Sequence, residues 1–189
     1  MPEVSRNPRT MHSFQDEPPV IAYLDPSFLL NVLIADSTYH GECAAFATRL
    51  ESARTILVLS NLGLDEIWFV LLRIQAVQEQ GERGWLTFLK NNPEKVKEYT
   101  YRLEETTLQI LEIPGLLLVE LSASQSLQAL SLMEWYGLLP RDALHAAAVF
   151  ETGIGTIITT DADFARVEGL QVYTCNPKAL DSQPAIHGG

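Results

Sequence analysis

Five acids carry the chemistry this chain could do: Asp25, Glu66, Asp142, Asp161 and Asp163. The run "IITTDADF" (157–164) passes from β-branched residues directly into Asp161 and Asp163. "VIAYL" (20–24) stops on Asp25 in the same way, Glu66 comes soon after "TILVLSN" (55–61), and Asp142 comes just after Pro140. Carboxylates forced together repel and raise one another's pKa. A fold keeps such a cluster when a divalent cation neutralises it. Oxygen-only donors suit Mg²⁺ or Mn²⁺ and not zinc. The matching chemistry is metal-assisted hydrolysis, in which the cation lowers the pKa of a coordinated water.

Each acid also has an ordinary reading. An Asp after a strand is a common turn former or helix cap, and an acid in a helix's first turn complements the macrodipole. Only their conjunction at one place calls for more. No histidine sits at zinc-ligand spacing, and His145, three residues after Asp142, reads as a helix packing residue.

The conjunction depends on the elements that carry the acids. Five short apolar runs read as strands: "VIAYL" (20–24), "TILVL" (55–59), "LLLVE" (116–120), "TIIT" (156–159) and "QVYT" (171–174). Their continuous apolar character fits strands buried on both faces, as in a parallel sheet. Helical patterns lie between them: "SFLLNVLI", "HGECAAFATRLESA", "NLGLDEIWFVLLRIQ", "SASQSLQALSLMEWYG" and "PRDALHAAAVFETG". Ser60 or Asn61 suits an N-cap, Pro140 a first turn and Gly153 a stop. Such alternation indicates an open α/β sandwich of three layers. Sites in such sheets form at the carboxyl ends of strands, where Asp25 and Asp161 fall. Glu66 and Asp142, early in their helices, reach the same edge.

Residues 76–114 form a helical insert before the third strand. Val96, Tyr99, Leu103 and Ile110 recur at helical spacing after Asn92 and Pro93, which predicts an amphipathic helix packed on the body or on a second subunit, as in a homodimer. Arg83, Lys90, Lys95, Lys97 and Arg102 make this the densest basic region, but interleaved acids favour a solvated face with helix ion pairs. Residues 1–19 and 176–189 read as tails around one domain over 20–175.

Hydrophobic residues make up 47% and charged residues 20% of the 189, an ordinary soluble balance. No apolar run spans a bilayer, and the N-terminus lacks the apolar centre of a signal peptide, so the cytoplasm is expected. Cys43 and Cys175 are too few for a disulfide framework and are expected to pack. The net charge of −11 argues against nucleic acid as a partner unless cations, rather than side chains, attract the phosphate.

"YLDPSFLLNVLI", "LSNLGLDEIWFVLLR", "RDALHAAAVFETG" and "TTDADF" resemble, in order and spacing, the motifs of PIN-domain ribonucleases, and among them the VapC-type toxins. The resemblance covers about residues 20–175. It implies a PIN-like fold and an Mg²⁺- or Mn²⁺-dependent hydrolase that cleaves RNA phosphodiesters. It also implies a metal site of Asp25, Glu66, Asp142 and Asp161, with Asp163 in addition. Glu66 rather than Asp65 fits, because the family's Glu follows six residues after the Ser that ends the second strand, here Ser60. Ser27 and Thr160 match polar positions near the metal. If the chain is the toxin of a toxin–antitoxin pair, a small antitoxin should cover its acidic cleft. Two features depart from the family pattern: Pro26 stands where Thr or Ser is usual, and the insert is longer than in minimal toxins.

Rival readings come from other classes. A haloacid-dehalogenase-type phosphohydrolase wants a second Asp two residues after the first, and Ser27 stands there. A receiver domain wants an Asp after a middle strand and a late Lys at a strand end, and neither is present. A catalytically idle PIN-like binding module is separated from an enzyme by metal-dependent cleavage.

Overall fold

The structure, a computed structural model, describes residues 10–181. β1 (Thr10–Ser13) and β2 (Ile21–Leu24) lead into α1 (Pro26–Leu33) and α2 (His40–Ala53). β3 (Ile56–Ser60) runs directly into α3 (Asn61–Gln80), followed by α4 (Trp85–Asn91) and α5 (Pro93–Leu111). β4 (Leu116–Val119), α6 (Ala123–Tyr136), α7 (Pro140–Glu151) and β5 (Thr156–Ile158) come next. A 3₁₀ turn over Ala162–Arg166, β6 (Gln171–Thr174) and α8 (Pro177–Leu180) complete the order.

The described strands form one six-stranded sheet, ordered β1-β6-β5-β2-β3-β4, and every neighbouring pair is parallel. From β2 the chain moves outward through β3 and β4, then returns to the other side of β2 with β5 and β6. The crevice between β2 and β5 is therefore the topological switch point, where ligands of open α/β sheets bind beyond the carboxyl ends of the strands.

Alternate residues of each strand feed opposite faces. Tyr23, Val58, Ile157 and Val172 pack with Ala129 and Leu132 of α6 and with Ala143, Ala146 and Ala147 of α7. Ala22, Leu24, Leu57, Leu59 and Ile158 pack on the other face with Phe28 of α1, Phe46 and Leu50 of α2 and Ile67 of α3. Both faces being covered at β2, β3, β5 and β6, these strands read as unbroken apolar runs. This is the expected open three-layer sandwich. Cys43 lies in the second cluster with Cys175 packed against it, as expected of packing residues. Among the described residues no helix is long and apolar enough to cross a membrane.

Helix boundaries follow local chemistry. Ser60 caps α3, its Oγ accepting the Gly63 N–H at 3.2 Å. Ser122 and Gln125 form a reciprocal capping box at α6, and Gly137 ends that helix in the left-handed conformation at φ 63°. The expected start of the insert helix at Asn92 and Pro93 holds. Its face also holds: Tyr99 and Ile110 are buried, while Val96 and Leu103 are half-buried. α3 runs five residues past the expected Gln75, to Gln80, because Ala76, Gln78, Glu79 and Gln80 are good helix formers, until Gly81 caps it. The distal part of α3 then packs on α4 and α5 through Ala76, Leu89 and Tyr99, a small core of the insert's own.

The chain ends differ from the expected tails. Thr10–Ser13 pairs in parallel with β6, with Met11 and Phe14 buried and Phe14 stacked on Phe46 at 4.4 Å between centroids. This polar tetrapeptide has no apolar run to betray a strand. At the other end Asn176 is buried and caps α8. Residues 1–9 and 182–189, which the expected tails also include, lie outside the described residues.

Candidate active site

Asp25 follows β2 and serves as N-cap of α1. Its Oδ2 accepts the Ser27 N–H at 3.2 Å, the Ser27 hydroxyl, and the Thr159 hydroxyl at 2.9 Å. These bonds all end on Oδ2. The cap bond and both hydroxyl bonds thus share one carboxylate oxygen. Asp25 is only 5% exposed. Burial pushes its carboxyl above the ordinary carboxylate range, against the pull of His145 and of the Ser27 and Thr159 hydroxyls; Asp161 pushes it further up.

Asp161 stands beyond β5 in the same arrangement, capping the 3₁₀ turn with Oδ1 on the Asp163 N–H at 2.8 Å. Its own N–H donates to Thr159 Oγ1 at 2.9 Å. Asp142 lies in the first turn of α7, held by Pro140 at the helix start. Burial, then Asp161, Asp25, Asp163 and Glu66 in that order, push its carboxyl up to about 6. Asp142 therefore stands within the field of all four other expected acids, which come from three separate parts of the chain.

Glu66, on α3, has its Oε1 3.0 Å from His145 Nε2 and 4.0 Å from Arg141 Nε. Asp65 turns outward, 3.6 Å from Arg141 Nη2. Side-chain exposure is 20% for Glu66 and 61% for Asp65, so Glu66 is the acid that faces the cluster. Asp163 forms an ion pair with Arg166 at the rim. Ser27 Oγ accepts the Thr160 N–H at 3.0 Å, and Thr160 Oγ1 accepts from Asn31 Nδ2 at 3.1 Å.

Among the described residues no group of three or more His, Cys, Asp or Glu is drawn close enough to form a finished metal cage. Four of the carboxylates instead lean on protein partners: Glu66 on His145, Asp163 on Arg166, Asp25 on the two hydroxyls and Asp161 on the Asp163 N–H. The donor set still fits a hard divalent cation. It is anionic and oxygen-only, and the raised carboxyls of Asp25 and Asp142 mark repulsion and burial that a cation would relieve.

Several supporting residues have no signal in the sequence reading. Thr159 is fully buried and bonds both Asp25 and Asp161. Asn31 bonds the Ser27 carbonyl at 2.8 Å as well as Thr160. Its one local clue is an Asn, a poor helix former, within the helical run "SFLLNVLI". Asn176 Nδ2 donates to the Thr160 carbonyl at 2.7 Å, fixing the segment that carries Asp161. His145, expected as a packing residue, is buried but bonds Glu66 and Tyr23.

Known proteins share this outline. No curated protein matches the chain. Among solved structures, the sarcin-ricin-loop-cleaving toxin VapC20 of Mycobacterium tuberculosis aligns with TM-score 0.50 at 18% identity, over 78% of this chain and 98% of that one. VapBC2 of Rickettsia felis, bound to a promoter DNA fragment, aligns with TM-score 0.48 at 16% identity, over 80% of this chain and 96% of that one. A toxin–antitoxin complex from Klebsiella pneumoniae gives 0.48 at 16% identity, over 79% and 94%. The PIN domain matches residues 22–170, which run from β2 to the residue before β6 and take in all five acids. The chain belongs to the PIN domain family.

Proposed function

We propose that the protein is a divalent-metal-dependent ribonuclease that hydrolyses RNA phosphodiester bonds at the β2–β5 crevice. The observation that carries this reading is the placement of Asp25 and Asp161 beyond the carboxyl ends of β2 and β5, the strands that flank the switch point of a PIN-domain sheet, with Thr159 bonded to both. Asp25, Asp142 and Asp161 would hold Mg²⁺ or Mn²⁺, with Asp163 at the rim. When bound, such a cation polarises the phosphate and lowers the pKa of a water bound to it.

The chain's own residues set the geometry. Ser27 and Thr159 hold Asp25 by one oxygen, which leaves the other for the site. Glu66, held by His145, would help to hold the cation or act as a general base. Thr160, bonded by Asn31 and Asn176, is tied at both its hydroxyl and its carbonyl just before Asp161. With a net charge of −11, the bound cations and not the protein surface would draw the RNA backbone in.

The finer reading is that of a toxin of the VapC type, paired with an antitoxin. The resemblance in motif order supports it, and the fold shared with VapC20 is consistent with it. A basic or amphipathic antitoxin segment would cover the acidic crevice by charge complementarity. The test is incubation of the purified chain with single-stranded RNA in Mg²⁺ or Mn²⁺, with and without a chelator. Chelator-sensitive cleavage supports the enzyme. Intact RNA under every metal condition favours a catalytically idle PIN-like binding module.

A further inference from the structure

His145 stands one turn after Asp142 on α7 and is 1% exposed. A side chain so buried needs both ring nitrogens satisfied. Nε2 lies 3.0 Å from Glu66 Oε1, and Nδ1 lies 2.6 Å from the Tyr23 hydroxyl. The Tyr23 hydroxyl donates to Ser60 Oγ at 2.7 Å, and Ser60 Oγ accepts the Gly63 N–H that begins α3. The connections form a closed ring: α3 starts at Ser60, carries Glu66, and is tied back to its own start through His145 and Tyr23. A carboxylate only accepts hydrogen bonds, so the bond to Glu66 is donated from Nε2.

Glu66 also has a competitor. The half-exposed Arg141 guanidinium lies 4.0 Å away and bridges outward to Asp65. A long carboxylate side chain drawn that way would leave the cluster. α7 thus does two things at neighbouring turns: it supplies Asp142 itself and, through His145, a counter-pull on Glu66. A leucine would fill the same space without either bond, so packing alone does not account for the imidazole.

We propose that His145 is a positioning residue, which holds the Glu66 carboxylate toward Asp142 and Asp25 for a divalent cation, with Tyr23 and Ser60 fixing the imidazole. The proposal rests on the metal-site reading above. Partners behind metal-binding carboxylates and imidazoles orient them, and removing such a partner typically weakens metal binding or activity by about 10- to 100-fold.

The test is Mn²⁺ titration calorimetry on the full chain, unmutated and as H145L, H145Q, Y23F, E66Q and the double variant H145L/E66Q. H145L should weaken Mn²⁺ binding by about 10-fold or more. H145Q should recover part of the loss, since its amide N–H can reach Glu66, and Y23F should lose less than H145L. The double variant should bind no more weakly than E66Q alone, because His145 acts only through Glu66. Additive losses, or an H145L affinity equal to that of the unmutated chain, would overturn the proposal. If H145L does not fold, the same cycle is run with Y23F and E66Q, and additivity there overturns it equally. An unmutated chain that binds no Mn²⁺ brings down the metal-site reading itself, and the positioning role with it.

Discussion

The Thr159 hydroxyl donates to Asp25 Oδ2 at 2.9 Å, across the pairing of β5 with β2. The same hydroxyl oxygen accepts the Asp161 N–H at 2.9 Å. One fully buried threonine thus ties together the two acids at the ends of the central strands. The link reaches the Asp25 carboxylate and the Asp161 main chain, so it ties the end of β2 to the segment that leaves β5.

Replacing Thr159 with Val keeps the shape and deletes both bonds. It leaves a buried carboxylate short of a donor and an N–H short of an acceptor. The expected loss is about 1–3 kcal/mol of stability, read from the urea midpoint, and Thr159→Ser should retain most of it. A Val variant with the unmutated midpoint would show that the link contributes nothing.

Asp142 gives the metal-free protein a pH dependence. Its carboxyl is raised from 3.8 to about 6 in the folded state, so the folded chain binds the proton more tightly than the unfolded chain does. The stability this contributes is fully present below the unfolded value and is lost as pH rises through about 6. Mg²⁺ or Mn²⁺ competes with that proton. Saturating metal should therefore raise Tm more at about pH 7.5 than at about pH 5. At about 100 times its dissociation constant the cation adds roughly 2.7 kcal/mol. Asp142→Asn should blunt both the metal shift and its pH dependence in thermal melts. Equal shifts at the two pH values in the unmutated chain would count against Asp142 as a ligand.

The insert is expected to bear on RNA affinity rather than on chemistry. Of its cations, Lys95 is already engaged, 2.8 Å from Glu79 and 3.0 Å from Glu98. Replacing Lys90 and Lys97 with Gln should flatten the salt dependence of RNA binding, by about 0.7 in log–log slope for each phosphate that a lysine no longer neutralises. Turnover at saturating RNA should stay the same, because no site acid lies on α4 or α5. An unchanged slope in a salt-titrated binding assay would make the insert purely structural.

What the sequence disclosed follows from where its signals are local. β2, β3, β5 and β6 read as strands because both faces of the sheet are covered, and Asp25 and Asp161 read as edge residues because they end those runs. Asp65 and Glu66 are separable in the sequence only through the family pattern; in the fold they differ by exposure, with Glu66 the more buried. The support behind the acids was not legible. Thr159 and Asp25 are 134 positions apart, Asn31 and Thr160 129, and His145 and Glu66 79. Bonds of that reach leave no spacing to read. β1 escapes notice for a different reason: Thr10–Ser13 is short and polar, and its strand character comes from pairing with β6.

The acids at the β2–β5 crevice are expected to carry metal-dependent RNA hydrolysis. The most direct measurement is the cleavage rate of single-stranded RNA in Mg²⁺ by the unmutated chain, Asp25→Asn and Asp161→Asn, with circular dichroism confirming that all three are folded. The expected result is chelator-sensitive cleavage by the unmutated chain and none by either folded variant. Cleavage by both variants at the unmutated rate would contradict the account, because hydrolysis would then be taking place somewhere else.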